Sequence, residues 1–191
     1  MRRGILQVCL LMGSLPLASA ASAQEIVHAL AGKVIAVSAQ SNTIQVATDD
    51  GSQDVFGVLT QKDVPLAFEK SVKALTVPAS SFNKANCQVV VFYFGDDQAM
   101  TSVALEDLGS SPLTKAVGTV VKLDKRQHLI TIKSDSGQLQ TFHMDAKTLA
   151  DCSSGVVEGD KYDPDKGSKV RITATTGNGA PTALFIRTLS L

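Results

Sequence analysis

One strand pattern is written twice in this chain, and that duplication limits the fold more than any other feature. Gly118-Thr-Val-Val-Lys-Leu, Leu129-Ile-Thr-Ile-Lys and Gly137-Gln-Leu-Gln-Thr-Phe-His-Met have counterparts 86 residues earlier. These are Gly32-Lys-Val-Ile-Ala-Val, Thr43-Ile-Gln-Val-Ala and Gly51-Ser-Gln-Asp-Val-Phe-Gly-Val. Ile44 then matches Ile130, Val46 matches Ile132 and Phe56 matches Phe142. At a shift of 81, Val89, Val91, Thr101, Val103 and Leu105 fall on Val170, Ile172, Thr182, Leu184 and Ile186. Internal repetition settles the domain count before any single element is read. Each copy carries about five strands, with the length difference absorbed between strands three and four.

Alternation defines the strands. Ile44, Val46 and Thr48 point to one face and Thr43, Gln45 and Ala47 to the other, as expected of an antiparallel strand with one face buried. Asp49-Asp50-Gly51 and Asp135-Ser136-Gly137 read as hairpin turns whose glycine takes a positive φ, so their acids are turn residues before they are ligands. Between strands three and four, Asp145-Ala-Lys-Thr-Leu-Ala predicts a short helix capped by Asp145, and Pro65 to Ala74 is its counterpart. Three strands, a helix and two strands is the order of an OB-type small barrel, which closes on itself and hides its edges. The expected fold is therefore mainly β, with two tandem five-stranded OB-like barrels over residues 24–111 and 112–191.

Through Gly-x-Val, the Ile-x-Val or Ile-x-Ile strand, the turn glycine and the strand-three phenylalanine, the chain resembles exported bacterial families of OB-like repeats of unassigned function. The resemblance covers both copies and implies an envelope binding or structural module. It carries over no catalytic residue.

At the N-terminus, Arg2 and Arg3 precede an apolar run from Ile5 to Leu17, and Ala21-Ser22-Ala23 supplies a small-x-small site. Residues 1–23 read as a secretory signal peptide cut before Gln24, which sends the mature chain to the periplasm or outside. The apolar run is too short for a membrane span, and Cys9 lacks the surroundings of a lipoprotein cysteine. Without Arg2 and Arg3 the chain has 16 basic and 18 acidic residues, a net charge of −2. Residues 24–111 hold 5 basic against 10 acidic residues, and residues 112–191 hold 11 against 8. This asymmetry could favour docking of the two halves, or simply give two separately solvated surfaces. Neither half has the basic balance of a dedicated nucleic-acid binder.

Cys87 and Cys152 survive processing, and an even cysteine count in an exported chain predicts a Cys87–Cys152 bridge; two separate thiols are the alternative. Strand four of the first copy is apolar on both faces, because Val90, Phe92 and Phe94 occupy the outward positions. Those rings are either covered by the second half, with Phe185 as the facing residue, or exposed as a platform for a sugar, a base or a peptide. Asp160, Asp163 and Asp165 are a weak calcium candidate, weighed against a polar surface loop; otherwise no metal site and no cofactor is indicated.

His28, His128 and His143 are dispersed, and no nucleophile elbow, phosphate loop or dinucleotide fingerprint occurs. The reading is a non-catalytic envelope adaptor for an unknown protein or polymer partner. The alternative is an oligosaccharide- or single-strand-binding module using Phe92 and Phe94, with an enzyme as the third choice.

Overall fold

The computed structural model describes residues 24–62, 64–96, 99–176 and 179–189. The expected signal segment, including Cys9, lies outside the described residues. The chain forms β1 (Glu25–Ile26), β2 (His28–Ser38), β3 (Thr43–Thr48), β4 (Gln53–Val58), β5 (Leu66–Ala67), α1 (Lys70–Ala74), β6 (Val77–Pro78), β7 (Gln88–Phe94) and β8 (Thr101–Gly109). It continues with β9 (Thr114–Asp124), β10 (Leu129–Lys133), β11 (Leu139–Cys152), β12 (Gly155–Glu158), β13 (Lys169–Ala174) and β14 (Thr182–Thr188). The protein is mainly β, and among the described residues no helix is long and apolar enough to cross a membrane.

One sheet runs β10-β9-β13-β14-β11-β12, and β10 also pairs with β11. β9, β10, β11, β14 and β13 thereby close into a five-stranded, OB-like barrel, with β11 and β14 parallel and the other neighbours antiparallel. The other sheet runs β4-β3-β2-β7-β8-β6, and β4 meets β8 in a short parallel contact, Gly57 and Val58 opposite Thr101 and Ser102.

The two sheets share several local features. Ile44, Val46 and Phe56 are buried in one core, Ile130, Ile132 and Phe142 in the other. A Cβ on Gly32 would stand 2.5 Å from the carbonyl oxygen of Ala47, and one on Gly118 would stand 2.6 Å from that of Lys133. Glycine at these two positions lets the long first strand press against the backbone of its neighbour. Both long strands also carry a register shift two or three residues further on, passing over Ile35 and Val121. Such a bulge adds the bend that a curling sheet needs.

Each sheet has its own apolar core, and a third cluster joins them. Val27 just before β2, Ala29 and Ala31 on its outer face and Phe92 on β7 meet Leu149, Val156 and Phe185 of the second sheet. Phe92 is fully buried there. Burying a side chain of this size stabilises by roughly 1.5–3 kcal/mol, so this seam is a substantial part of the fold energy.

The helix expected from Asp145 is not formed: β11 runs through that stretch to Cys152. Asp145 does act in the manner of a cap, its Oδ1 accepting from the N–H groups of Lys147 (2.8 Å) and Thr148 (3.0 Å). Thr148 Oγ1 then donates to the Ala183 carbonyl at 2.7 Å, which ties the turn to β14. The chain resumes strand pairing with Phe185 at Leu149, so the cap residue serves a bulge. In the first half, the helix expected from Pro65 shrinks to Lys70–Ala74, because Leu66 and Ala67 pair in parallel with Glu25 and Ile26.

Candidate functional site

Four side chains from the two sheets converge beside the apolar seam. In the first sheet His28 on β2 lies directly opposite Tyr93 on β7; in the second, Asp151 on β11 lies directly opposite Arg187 on β14. The two pairs face each other. His28 Nδ1 stands 3.0 Å from Asp151 Oδ1, Arg187 Nε stands 3.8 Å from Asp151 Oδ2, and Arg187 Nη2 donates to the Tyr93 hydroxyl at 3.3 Å. Asp151 is buried, and loss of water pushes its carboxyl above the ordinary value, while His28 and Arg187 act in the opposite direction. With both oxygens engaged, this carboxylate works as a clamp between sheets rather than as a free base.

The clamp forms one wall of a groove of about 660 Å³. Its other wall comes from the β11–β12 turn and the segment after β12, including Ser153, Ser154, Lys161 and Tyr162. Tyr162 belongs to the second core, and burial pushes its phenol up to about 12; its hydroxyl shares a 2.8 Å hydrogen bond with Thr188. Cys152 follows Asp151 on β11; it is half-buried, packing against the second core and lining the same groove. Its Sγ lies 3.2 Å from Ser154 Oγ and 3.3 Å from the Gly155 carbonyl oxygen. The thiol beside the His28–Asp151 pair is thus engaged by its own turn rather than by the histidine.

A second set of contacts crosses the seam at the β3–β4 hairpin. Asp49 pairs with Lys115 Nζ at 2.5 Å and accepts from Thr173 Oγ1 at 2.5 Å. Asp50 accepts from Thr48 Oγ1 and from the Ser52 N–H at 2.9 Å, and lies 3.7 Å from Arg171 Nη1. The Thr48 hydroxyl is the main reason its carboxyl falls to about 2, partly opposed by desolvation and assisted by Ser52 and Arg171. The two aspartates are turn residues, as their sequence implies, and they also anchor the second sheet. Glu69 with Lys161 (2.7 Å) adds a third acidic-to-basic contact in the same direction. These three pairs give the charge asymmetry a structural role. The partly exposed Asp50–Arg171 and Glu69–Lys161 pairs contribute only about 0–1 kcal/mol each and orient the docking, whereas the Asp49 carboxylate is buried and held by both Lys115 and Thr173.

Phe92 is buried in the seam beside Phe185, with its ring 5.3 Å from that of Phe68, and Phe94 is half-buried. An aromatic platform built on Phe92 is therefore not open. Cys87 and Cys152 are both free thiols, contrary to the expected bridge. The reason is the length of β2: the Cys87 carbonyl accepts from Val34, whereas Asp151, next to Cys152, binds His28. Six residues of strand span about 20 Å, several times the separation a disulfide tolerates. Asp160, Asp163 and Asp165 do not form a calcium cage; Asp163 points to Lys125 at 3.0 Å, and among the described residues no three acidic, histidine or cysteine side chains gather around a metal position. His28 was visible in the sequence, but its partners lie 65 to 159 positions away. The one local signal was the apolar outer face of the strand it opens.

No protein-family model and no curated protein matches the chain. Among solved structures it is similar to the crystal structure of Ag(I)CusF, at 16% identity and a TM-score of 0.33, over 41% of this chain and 100% of that one.

Proposed function

We propose that the mature chain, from Gln24, is an exported, non-catalytic binding or adaptor protein. In this reading residues 24–111 and 112–191 are two copies of an OB-like barrel, fused along the seam into one body that offers the 660 Å³ groove to an envelope partner. The observation that carries it is the saturation of the clamp. His28, Asp151, Arg187 and Tyr93 hold one another across the two sheets, and the Cys152 thiol that also lines the groove lies against Ser154 Oγ and the Gly155 carbonyl, so these groups are committed to structure. Catalysis instead needs an acid, base or nucleophile poised toward an open reaction volume. The exposed Ser153 and Ser154 leave the groove a polar recognition surface at its mouth.

The test fills the groove mouth with Ser153→Arg and Ser154→Arg, both at exposed positions outside the clamp. Immobilised mature protein is challenged with the solubilised envelope fraction of its own cells. The proposal expects a defined partner to be retained by the wild-type chain and lost by the filled variant. Equal retention by both proteins, or no retained partner, contradicts it. N-terminal sequencing of the exported form should begin at Gln24; an uncut chain contradicts the export reading.

A further inference from the structure

A second groove, of about 670 Å³, lies on the first sheet, away from the clamp. Its lining combines an apolar stretch, Leu59 after β4, Leu66 on β5, Phe68 before α1 and Val103 on β8, with the polar Thr60, Gln61, Thr76 and Ser80. Leu66, Phe68 and Val103 also pack against the seam cluster, so this stretch is anchored to the seam. Lys62 and Lys73 stand at its rim. Both are exposed, and among the described residues neither has an ion-pair partner, whereas Lys84 in the same half is held by Asp107 at 2.6 Å.

Two observations identify the occupant. The half that contains this groove has 5 basic against 10 acidic residues, yet two of those five lysines sit at this rim, and no acidic side chain is among the described residues lining it. Two lysines against one sequence-adjacent acid, Asp63, leave the rim net positive, which favours an anion. The volume falls in the range of about 300–1,000 Å³ typical of small-molecule sites, and an apolar floor of this kind rewards hydrocarbon rather than hydroxyls or bases. We infer that this groove binds a single-chain fatty acid, its carboxylate at Lys62 and Lys73 and its alkyl chain along Leu59, Leu66, Phe68 and Val103. The site is independent of the polar groove and of any partner held there.

The probe is decanoate, titrated calorimetrically into the mature protein below its micelle-forming concentration, with decanol and decyltrimethylammonium as uncharged and cationic counterparts. The inference expects saturable 1:1 binding of decanoate that weakens with salt. Decanol and the cation should bind at least tenfold more weakly. From octanoate to dodecanoate, affinity should rise by up to about fourfold for each methylene the floor covers. Lys62→Glu with Lys73→Glu should reduce decanoate affinity about tenfold or more while leaving the melting temperature in place, since both side chains are solvent-exposed. Absence of saturable binding, equal affinity for decanol, or an unchanged affinity in the double variant would each overturn it.

Discussion

Replacing Glu106 by Gln should stabilise the protein at alkaline pH and do little in acid. Glu106 lies on β8 opposite Val90, on the side that faces the β11 bulge, and its Oε2 is buried without a hydrogen-bond partner among the described residues. Desolvation raises its carboxyl from 4.5 to about 7, with Lys147 lowering it and Asp145 raising it further. At about 1.4 kcal/mol per pH unit, that displacement corresponds to roughly 3 kcal/mol. Because the folded-state value is the higher one, the favourable contribution is complete below pH 4.5 and is lost as pH rises through about 7. Above that, the folded chain holds a poorly solvated charge. Gln keeps the shape and never ionises, so urea unfolding at pH 8 should show a gain of about 2–3 kcal/mol over wild type, shrinking toward zero at pH 4. For a domain stable by only about 5–15 kcal/mol, a change of that size is easily measured. An equal effect of the substitution at both pH values, or a loss at pH 8, would refute the argument from burial.

Three further outcomes are expected. Phe92→Ala removes a fully buried ring from the seam and should cost about 3–5 kcal/mol; a loss below 1 kcal/mol would mean that the seam is not packed as described. Gly155→Ala should destabilise more than Gly51→Ala: both glycines have positive φ, but a Cβ at 155 also meets the Val27 carbonyl at 2.9 Å while one at 51 meets open space. Equal melting points would remove the close approach from the account. In the native protein a maleimide should label Cys152 and spare Cys87, which is buried and whose thiol is raised chiefly by desolvation; rapid labelling of both, or of neither, contradicts their placement.

The strands were legible wherever one face alone is buried. Thr43–Thr48 alternates in the structure as it does in sequence, and Gly51 and Gly137 take the positive φ expected of their turns. Legibility ended where a residue's local preference served a tertiary purpose. Asp145 has the chemistry of a helix cap, yet Thr148 and the parallel pairing with β14 hold its turn as a bulge. The apolar outer face of β7 demanded a cover or a ligand; Phe92 is covered in the seam with Phe185, and Phe94 is half-buried. The cysteine count suggested a bridge because counting carries no distances; β2 places the two thiols at different ends. The clamp escaped notice for a similar reason: His28, Tyr93, Asp151 and Arg187 meet through strand register, with no short motif linking them.

The central claim is that the seam and clamp make the two sheets one body, and calorimetry of the mature chain tests it most directly. The account predicts a single transition whose calorimetric and van't Hoff enthalpies agree. Two separate transitions, each reproduced by residues 24–111 or 112–191 expressed alone, would contradict it.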